Sequence, residues 1–215
     1  MASLPPPLVA TELPGLPPPR RGKVRDVYDL GTELLIVATD RISAYDFVLA
    51  PGIPGKGKVL NQMSNFWFER LSGAVANHLV ATDVRDFPSA LDRHRDLLEG
   101  RSVVVRKADV VPFECVARGY LAGSAYRELV EFGAVCGIPL PSDTPRASRL
   151  PTTLFTPATK AETGHDQNVP FEVLTEALGA DLAARLRVTT IALFDLATHH
   201  ATTRGLLLAD TKFEF

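Results

Sequence analysis

Strand-like and helix-like segments follow one another along this 215-residue chain without a repeating order, and that irregularity restricts the fold more than any other feature. A doubly wound sheet needs a regular strand–helix rhythm, so a mixed α+β architecture fits better. Residues 23–30 read as a strand, Gly31-Thr32-Glu33 as a turn and 34–38 as the returning strand of a hairpin. In residues 59–71, Val59, Met63, Phe66, Trp67 and Leu71 stand at helical spacing and predict a core-facing helix. Residues 102–106 and 115–117 look like buried strand pieces, and a short helix is expected from Ser124, as its N-cap, to about Gly133. The proline- and serine-rich stretch 140–157 reads mostly as loop. The longest helix candidate spans 180–204, with Leu182, Leu186, Ile191, Phe194 and Leu196 on its apolar side and Gly205 as its stop.

The chain closes on LLLADTKFEF, where an apolar run turns into strict alternation. On a strand this sets Asp210, Lys212 and Glu214 on one face and Thr211, Phe213 and Phe215 on the other. A solvated polar face is the simplest reading; a carboxylate–ammonium–carboxylate row suited to a metal ion and phosphate oxygens is the functional one.

A formal net charge of -2 gives no reason to expect nucleic acid or an anionic membrane as partner. Cys115 and Cys136 are too few for a disulfide framework and read as reduced core residues. No apolar run approaches the length of a membrane span, and the N-terminus lacks the pattern of a signal peptide, so a cytoplasmic location is expected. Proline clusters at 5–7 and 17–19 predict an extended, poorly packed arm over 1–19, with folded structure beginning near Arg20.

Four segments concentrate groups able to do chemistry. Gly22-Lys23-Val24-Arg25 opens the first hairpin, where a glycine lets the backbone approach a phosphate and the cations match its charge, although a basic surface turn is the commoner origin of such a sequence. Residues 39–46 (TDRISAYD) pack acids, an arginine and hydroxyls at a strand end, equally suited to a binding loop or a hydrogen-bonded turn. Glu114, Arg118 and Ser124 in FECVARGYLAGS combine an arginine with a helix start, which suits a phosphate, or else form a buried Glu–Arg pair. Residues 156–168 gather Lys160, Glu162, His165, Asp166 and Asn168 with little apolar content, which favours a binding loop.

Taken together, GKVRDVYDLG, LLIVATDRISAYDFVL, PGIPGKGKVLNQMSNFWFERL, VRKADVVPFECVARGYLAGSAY, FTPATKAE…HDQN and LLLADTKFEF closely resemble the SAICAR synthetases, the phosphoribosylaminoimidazole-succinocarboxamide synthases of purine biosynthesis. The blocks cover most of residues 22–215 in the family's order. The resemblance implies an ATP-grasp-like two-lobe fold, with a β-rich ATP-binding lobe over about 20–110, an α+β substrate and metal lobe over 111–215, and ATP between them. It implies a ligase that joins L-aspartate to the carboxylate of carboxyaminoimidazole ribotide (CAIR) with ATP and Mg²⁺, through an acyl phosphate. Small molecules are then its partners, with no nucleic acid or membrane among them.

Carried across by position, Gly22, Lys23, Val24 and Arg25 match the hairpin that covers ATP. Lys107 and Glu114 fall where the family's chain passes the nucleotide and the substrate junction. Arg118 and Ser124 match residues that hold the ribotide phosphate or carboxylate. Asp210 and Lys212 match residues near the substrate carboxylate and the transferred phosphoryl group, and Glu214 matches a Mg²⁺ ligand. Asp40, Arg41 and Ser43, and likewise Lys160 and Asp166, fall in loops that close over the substrates. The family's stretch around His165 carries one more residue than Gly164-His165 allows, and its members continue beyond the final strand with a second metal carboxylate and a substrate-binding arginine. On that comparison the chain is a shortened form, expected to bind ATP with little or no ligase activity. A non-catalytic nucleotide-binding remnant and a small-molecule kinase are the alternatives.

Overall fold

Alternating burial along RDVYD and ELLIVA produces the first hairpin and, through it, the sheet of the N-terminal half. The chain is described here by a computed structural model covering residues 5–45, 47–160 and 167–215, and it divides into unit 1, Met1–Ala108, and unit 2, Asp109–Phe215. In unit 1 the elements are β1 (Arg20–Arg21), β2 (Arg25–Asp29), β3 (Glu33–Ala38), β4 (Ile42–Ala44), β5 (Phe47–Leu49), α1 (Lys56–Leu71), β6 (Leu79–Ala81), α2 (Arg95–Leu98) and β7 (Ser102–Arg106). Their main sheet is antiparallel in the order β1-β2-β3-β7-β6, and β4 and β5 form a separate hairpin. Tyr28, Leu35, Val37, Leu91, Leu98 and Val104 fill the core of the unit.

The proline-rich arm is packed, contrary to the sequence reading. Leu13 sits in the core, and the buried Thr11 gives both its N–H and its hydroxyl to Asp26 Oδ2 at 2.8 Å while accepting from the Tyr28 hydroxyl at 2.9 Å. Prolines keep the backbone extended and remove N–H groups that would need partners, so one threonine can anchor the segment.

Asp40 performs a similar task for the loop before α1. It is 1% exposed and accepts from the N–H groups of Leu8 (2.9 Å), Gly55 (3.3 Å) and Gly57 (2.8 Å) and from Arg101 Nη1 (3.1 Å). The carboxylate thus caps α1 from outside, since Gly55 at the N-cap has no side chain to do so. Burial alone would raise the Asp40 pKa, but these N–H donors and the Arg101 guanidinium outweigh it and hold the carboxyl below its ordinary value.

The core-facing helix predicted over 59–71 is α1, but a different face is buried. Gly57 and Asn61 are its buried residues, whereas Val59 is 61%, Met63 53% and Phe66 43% exposed. A Cβ on Gly57 would lie 2.2 Å from the Ala38 carbonyl oxygen, so backbone touches backbone there and only glycine fits. One turn on, Asn61 Nδ2 donates to the carbonyls of Gly100 (3.3 Å) and Ser102 (3.4 Å).

Unit 2 is organised around one long strand, β8 (Phe113–Tyr120). The rest comprises α3 (Gly123–Phe132), β9 (Ala134–Val135), β10 (Ile138–Pro139), β11 (Arg149–Phe155), β12 (Ala158–Thr159), β13 (Gln167–Asn168), α4 (Phe171–Leu178), α5 (Ala180–Thr202) and β14 (Asp210–Phe213). β8 pairs antiparallel with β11, β12 and β14, and β13 extends the sheet from β12. β11 corrects the loop reading of 140–157. Its pairing with β8 shifts between Arg149 and Leu154, the stretch that contains Pro151, as expected of an edge strand that loses a donor.

α5 buries Ala183, Leu186, Thr190, Leu193, Phe194 and Ala197, while Leu182 and Leu196 face outward. Two leucines of the predicted apolar side are therefore off the buried face, which steps by three and four residues from Ala183. A Cβ at Gly119 of β8 would come within 3.2 Å of the Phe194 ring, which fixes how closely α5 approaches the sheet. Ser124 is not the cap of α3: the N-cap is Ala122, and the Ser124 hydroxyl is engaged by Arg118. No helix among the described residues is long and apolar enough to cross a membrane.

Two outcomes are expected. Burial pushes the Cys115 thiol up to about 11, and burial with the Glu128 charge pushes Cys136 up to about 12. At about pH 8 both remain thiols, so iodoacetamide should modify neither in the native protein and both after unfolding, as read by intact mass. A carboxyl held below its ordinary value contributes its full stability above about pH 4 and loses it as the pH falls through the lowered value. Asp40→Asn should therefore cost roughly 3–5 kcal/mol at neutral pH, because it leaves Arg101 buried without its counter-charge. The difference from the parent should shrink in urea titrations repeated at about pH 3.

Candidate active site

The pairing of β14 with β8 sets Asp210 opposite Arg118, Thr211 opposite Ala117, Lys212 opposite Val116 and Phe213 opposite Cys115. Directly opposed residues share a face, so Asp210 and Lys212 join Glu114, Val116 and Arg118 on one side of the sheet. Phe213 and Phe215 pack on the other, against the cluster of Phe113, Cys115, Phe155 and Leu174. The polar side forms an open cavity of about 260 Å³ lined by Glu114, Arg118, Ser124, Asn168, Asp210 and Lys212, among others.

Arg118 is the centre of this cavity. It is only 7% exposed, and its guanidinium donates from Nε to Thr156 Oγ1 (2.9 Å), from Nη1 to Asp210 Oδ2 (3.1 Å) and from Nη2 to Ser124 Oγ (3.2 Å). These three partners hold the fork rigid in the geometry that recognises carboxylates and phosphates. Beside it, Lys212 Nζ donates to the buried Glu114 Oε1 at 2.6 Å. At the end of the strand Lys160 Nζ meets Glu214 Oε1 at 2.9 Å, with both side chains about half exposed.

Among the described residues no group of three His, Cys, Asp or Glu side chains could hold a metal ion by itself. Glu214 offers one half-exposed carboxylate, which fits Mg²⁺, a cation that takes one or two carboxylates and completes its shell with phosphate oxygens and water.

In unit 1, the residues Gly22–Arg25 form the tip of the β1–β2 hairpin, closed by Gly22 N–H to the Arg25 carbonyl at 2.8 Å. Arg41 lies against this turn. Its side chain is 11% exposed and donates to the carbonyls of Val9, Gly22, Lys23 and Arg25 and to Asp26 Oδ1. Asp40 and Arg41, expected to meet substrate, both have side chains hydrogen-bonded within the unit. Ser43 lies in β4, and Lys107 pairs with Asp29 at 2.7 and 2.8 Å on the surface, which with the Gly31 N–H keeps the Asp29 carboxyl below its ordinary value. Asp166 and His165 lie outside the described residues.

Two groups were not singled out from the sequence. Thr156 is fully buried and fixes Arg118. Glu128 accepts from Asn168 Nδ2 at 2.7 Å and from the Cys136 N–H at 2.6 Å, and so orients a side chain of the cavity wall. The TPATKAE block contains Thr156, but nothing in the sequence separates it from neighbouring threonines.

A family model described as SAICAR synthetase matches residues 19–215. The phosphoribosylaminoimidazole-succinocarboxamide synthases of Syntrophotalea carbinolica and Pelobacter propionicus are 50% and 48% identical to this chain, each match covering 97% of it and 71% of the relative. A solved SAICAR synthase from Saccharomyces cerevisiae, complexed with SAICAR, superposes with a TM-score of 0.87 at 40% identity, again over 97% of this chain and 71% of that one. The chain belongs to the SAICAR synthetase family. The α+β fold and the ATP-dependent ligase expected from the sequence stand, and neither the remnant nor the kinase reading is favoured.

Proposed function

We propose that this member of the SAICAR synthetase family joins L-aspartate to the CAIR carboxylate through the cavity on the β8–β14 face of unit 2. The observation that carries the assignment of roles is the Arg118 fork, buried, fixed by Thr156 and Ser124, and facing the half-exposed Asp210 carboxylate. Arg118 and Ser124 hold the anionic group of the ribotide, its phosphate or its carboxylate. Residues 20–110 form the ATP-binding lobe, with the Gly22–Arg25 turn covering the nucleotide, and residues 111–215 form the substrate and metal lobe. The two buried, unpaired cysteines suit the reducing cytoplasm.

A carboxylate is a poor acylating agent, so the reaction needs two displacements. An oxygen of the CAIR carboxylate forms a bond to the γ-phosphorus of ATP as the bond to the β-bridging oxygen breaks, releasing ADP. The aspartate amine then attacks the acyl carbon, the bond to the phosphate oxygen breaks, inorganic phosphate leaves and the amine loses a proton. Both steps gather anions, and the protein's contribution is positioning and compensating charge. Lys212 stands beside the transferred phosphoryl group, at a height set by Glu114. Asp210 keeps the Arg118 fork in plane until substrate takes that place. Glu214 is the residue that would hold Mg²⁺, which supplies charge neutralisation at the phosphates.

Incubation with ATP, CAIR and labelled L-aspartate should give labelled succinocarboxamide with ADP and phosphate in equal amounts, and turnover at an intact enzyme's rate would overturn the expectation of little or no ligase activity for the shortened chain. ATP turnover with CAIR but no incorporation of aspartate would overturn the assignment. Arg118→Ala should lower kcat/KM for CAIR by about 100-fold or more, the cost of removing one partner from a buried charged contact, and Arg118→Lys should recover little of it. Glu214→Gln should raise the Mg²⁺ concentration needed for half-maximal rate while leaving the melting temperature within about a degree, because its pair with Lys160 is solvated.

A further inference from the structure

All four carbonyl oxygens of the Gly22–Arg25 turn are occupied by donors from within unit 1. Arg41 reaches three of them: Nε to Lys23 at 3.1 Å, and Nη2 to Gly22 at 2.9 Å and to Arg25 at 3.1 Å. Thr39 covers the fourth, giving its N–H to Val24 at 3.0 Å and its hydroxyl at 2.9 Å. The guanidinium is itself pinned, by Asp26 Oδ1 at 2.8 Å and by the Val9 carbonyl at 2.5 Å. Asp26 is buried and held in turn by Thr11 of the packed arm.

We infer that Arg41 is a positioning residue for nucleotide phosphates: it draws the turn's carbonyls inward, so that an approaching triphosphate meets peptide edges and cationic side chains rather than carbonyl oxygens. This rests on the reading of the Gly22–Arg25 turn as the ATP hairpin. A carbonyl oxygen carries partial negative charge and repels phosphate oxygens, and turns that bind anions keep their carbonyls directed away from the ligand. Covering several carbonyls of one turn takes a planar fork of donors, which arginine provides; lysine is a point charge on a flexible stem. The side chain that the sequence suggested for substrate contact instead lies behind the surface that binds.

The test is calorimetric titration of the full chain with MgATP and, separately, with CAIR. Arg41→Lys, which retains the charge facing Asp26, should weaken MgATP binding about tenfold, leave CAIR affinity unchanged and melt within a few degrees of the parent. In Arg41→Ala, millimolar guanidinium should recover part of the lost MgATP affinity, a response that a general loss of stability would not give. Lys23→Ala tests the turn itself and should also weaken MgATP binding. Parent-like MgATP affinity in folded Arg41→Lys, with Lys23→Ala weakened, would overturn the role of Arg41 and leave the turn's assignment intact. Parent-like affinity in both variants would overturn the nucleotide turn and the inference together. A parallel loss of CAIR affinity in Arg41→Lys would also count against it, since that marks a general structural defect.

Discussion

The register between β8 and β14 is the constraint on which the site depends. Arg118 and Asp210 are 92 residues apart in sequence, and only this pairing sets them opposite one another. Strand side chains alternate with a period of two, so a slip of one residue would send Asp210, Lys212 and Glu214 to the face now filled by Phe213 and Phe215. The two phenylalanines, packed on the cluster around Cys115 and Leu174, therefore hold the polar row in place. Burial on one face sets the chemistry on the other.

Unit 1 depends on two adjacent residues of opposite charge. Asp40 gathers N–H groups from Leu8, Gly55 and Gly57, and Arg41 gathers carbonyls from Val9 and the Gly22–Arg25 turn. An anion that collects donors and a cation that collects acceptors, side by side at the end of β3, tie two loops and the N-terminal arm to one point of the sheet. Buried charges are tolerated when their hydrogen-bonding capacity is used in this way, and Arg101 and Asp26 supply the counter-charges.

Local pattern made part of this legible. The first hairpin, the strand over 102–106, the helix ending at Gly133 and the alternation of the final strand follow from periodicity and turn chemistry, and the structure has them all. What escaped depends on contacts between distant segments. Helical spacing correctly located α1 but could not reveal that Gly57 and Asn61, rather than Val59 and Met63, touch the sheet. Ser124 has the chemistry of a cap, yet Arg118 takes its hydroxyl. Asp40 and Arg41 look equally suited to ligand or loop, and the sequence could not show the loop and arm groups that they hold. The proline-rich composition of 140–157 read as loop, but a proline such as Pro151 is tolerated in an edge strand.

The polar face of the terminal strand is balanced pair by pair, and the pairs differ in how readily they open. Glu214–Lys160 joins two half-exposed side chains, a contact worth about 0–1 kcal/mol in water, so it opens at little cost. Asp210–Arg118 is asymmetric: the arginine is buried, but the carboxylate is 52% exposed and can swing into solvent while Thr156 and Ser124 keep the guanidinium in place. Loss of the Asp210 contact thus still leaves Arg118 the hydroxyls of Thr156 and Ser124. Lys212–Glu114 is the reverse case, with the carboxylate buried at 7% and the ammonium half exposed. Opening that pair would take the ammonium away from a buried carboxylate, which costs more than opening a surface contact. Lys212–Glu114 is therefore costlier to open than Glu214–Lys160, and Arg118 keeps Thr156 and Ser124 when Asp210 moves away.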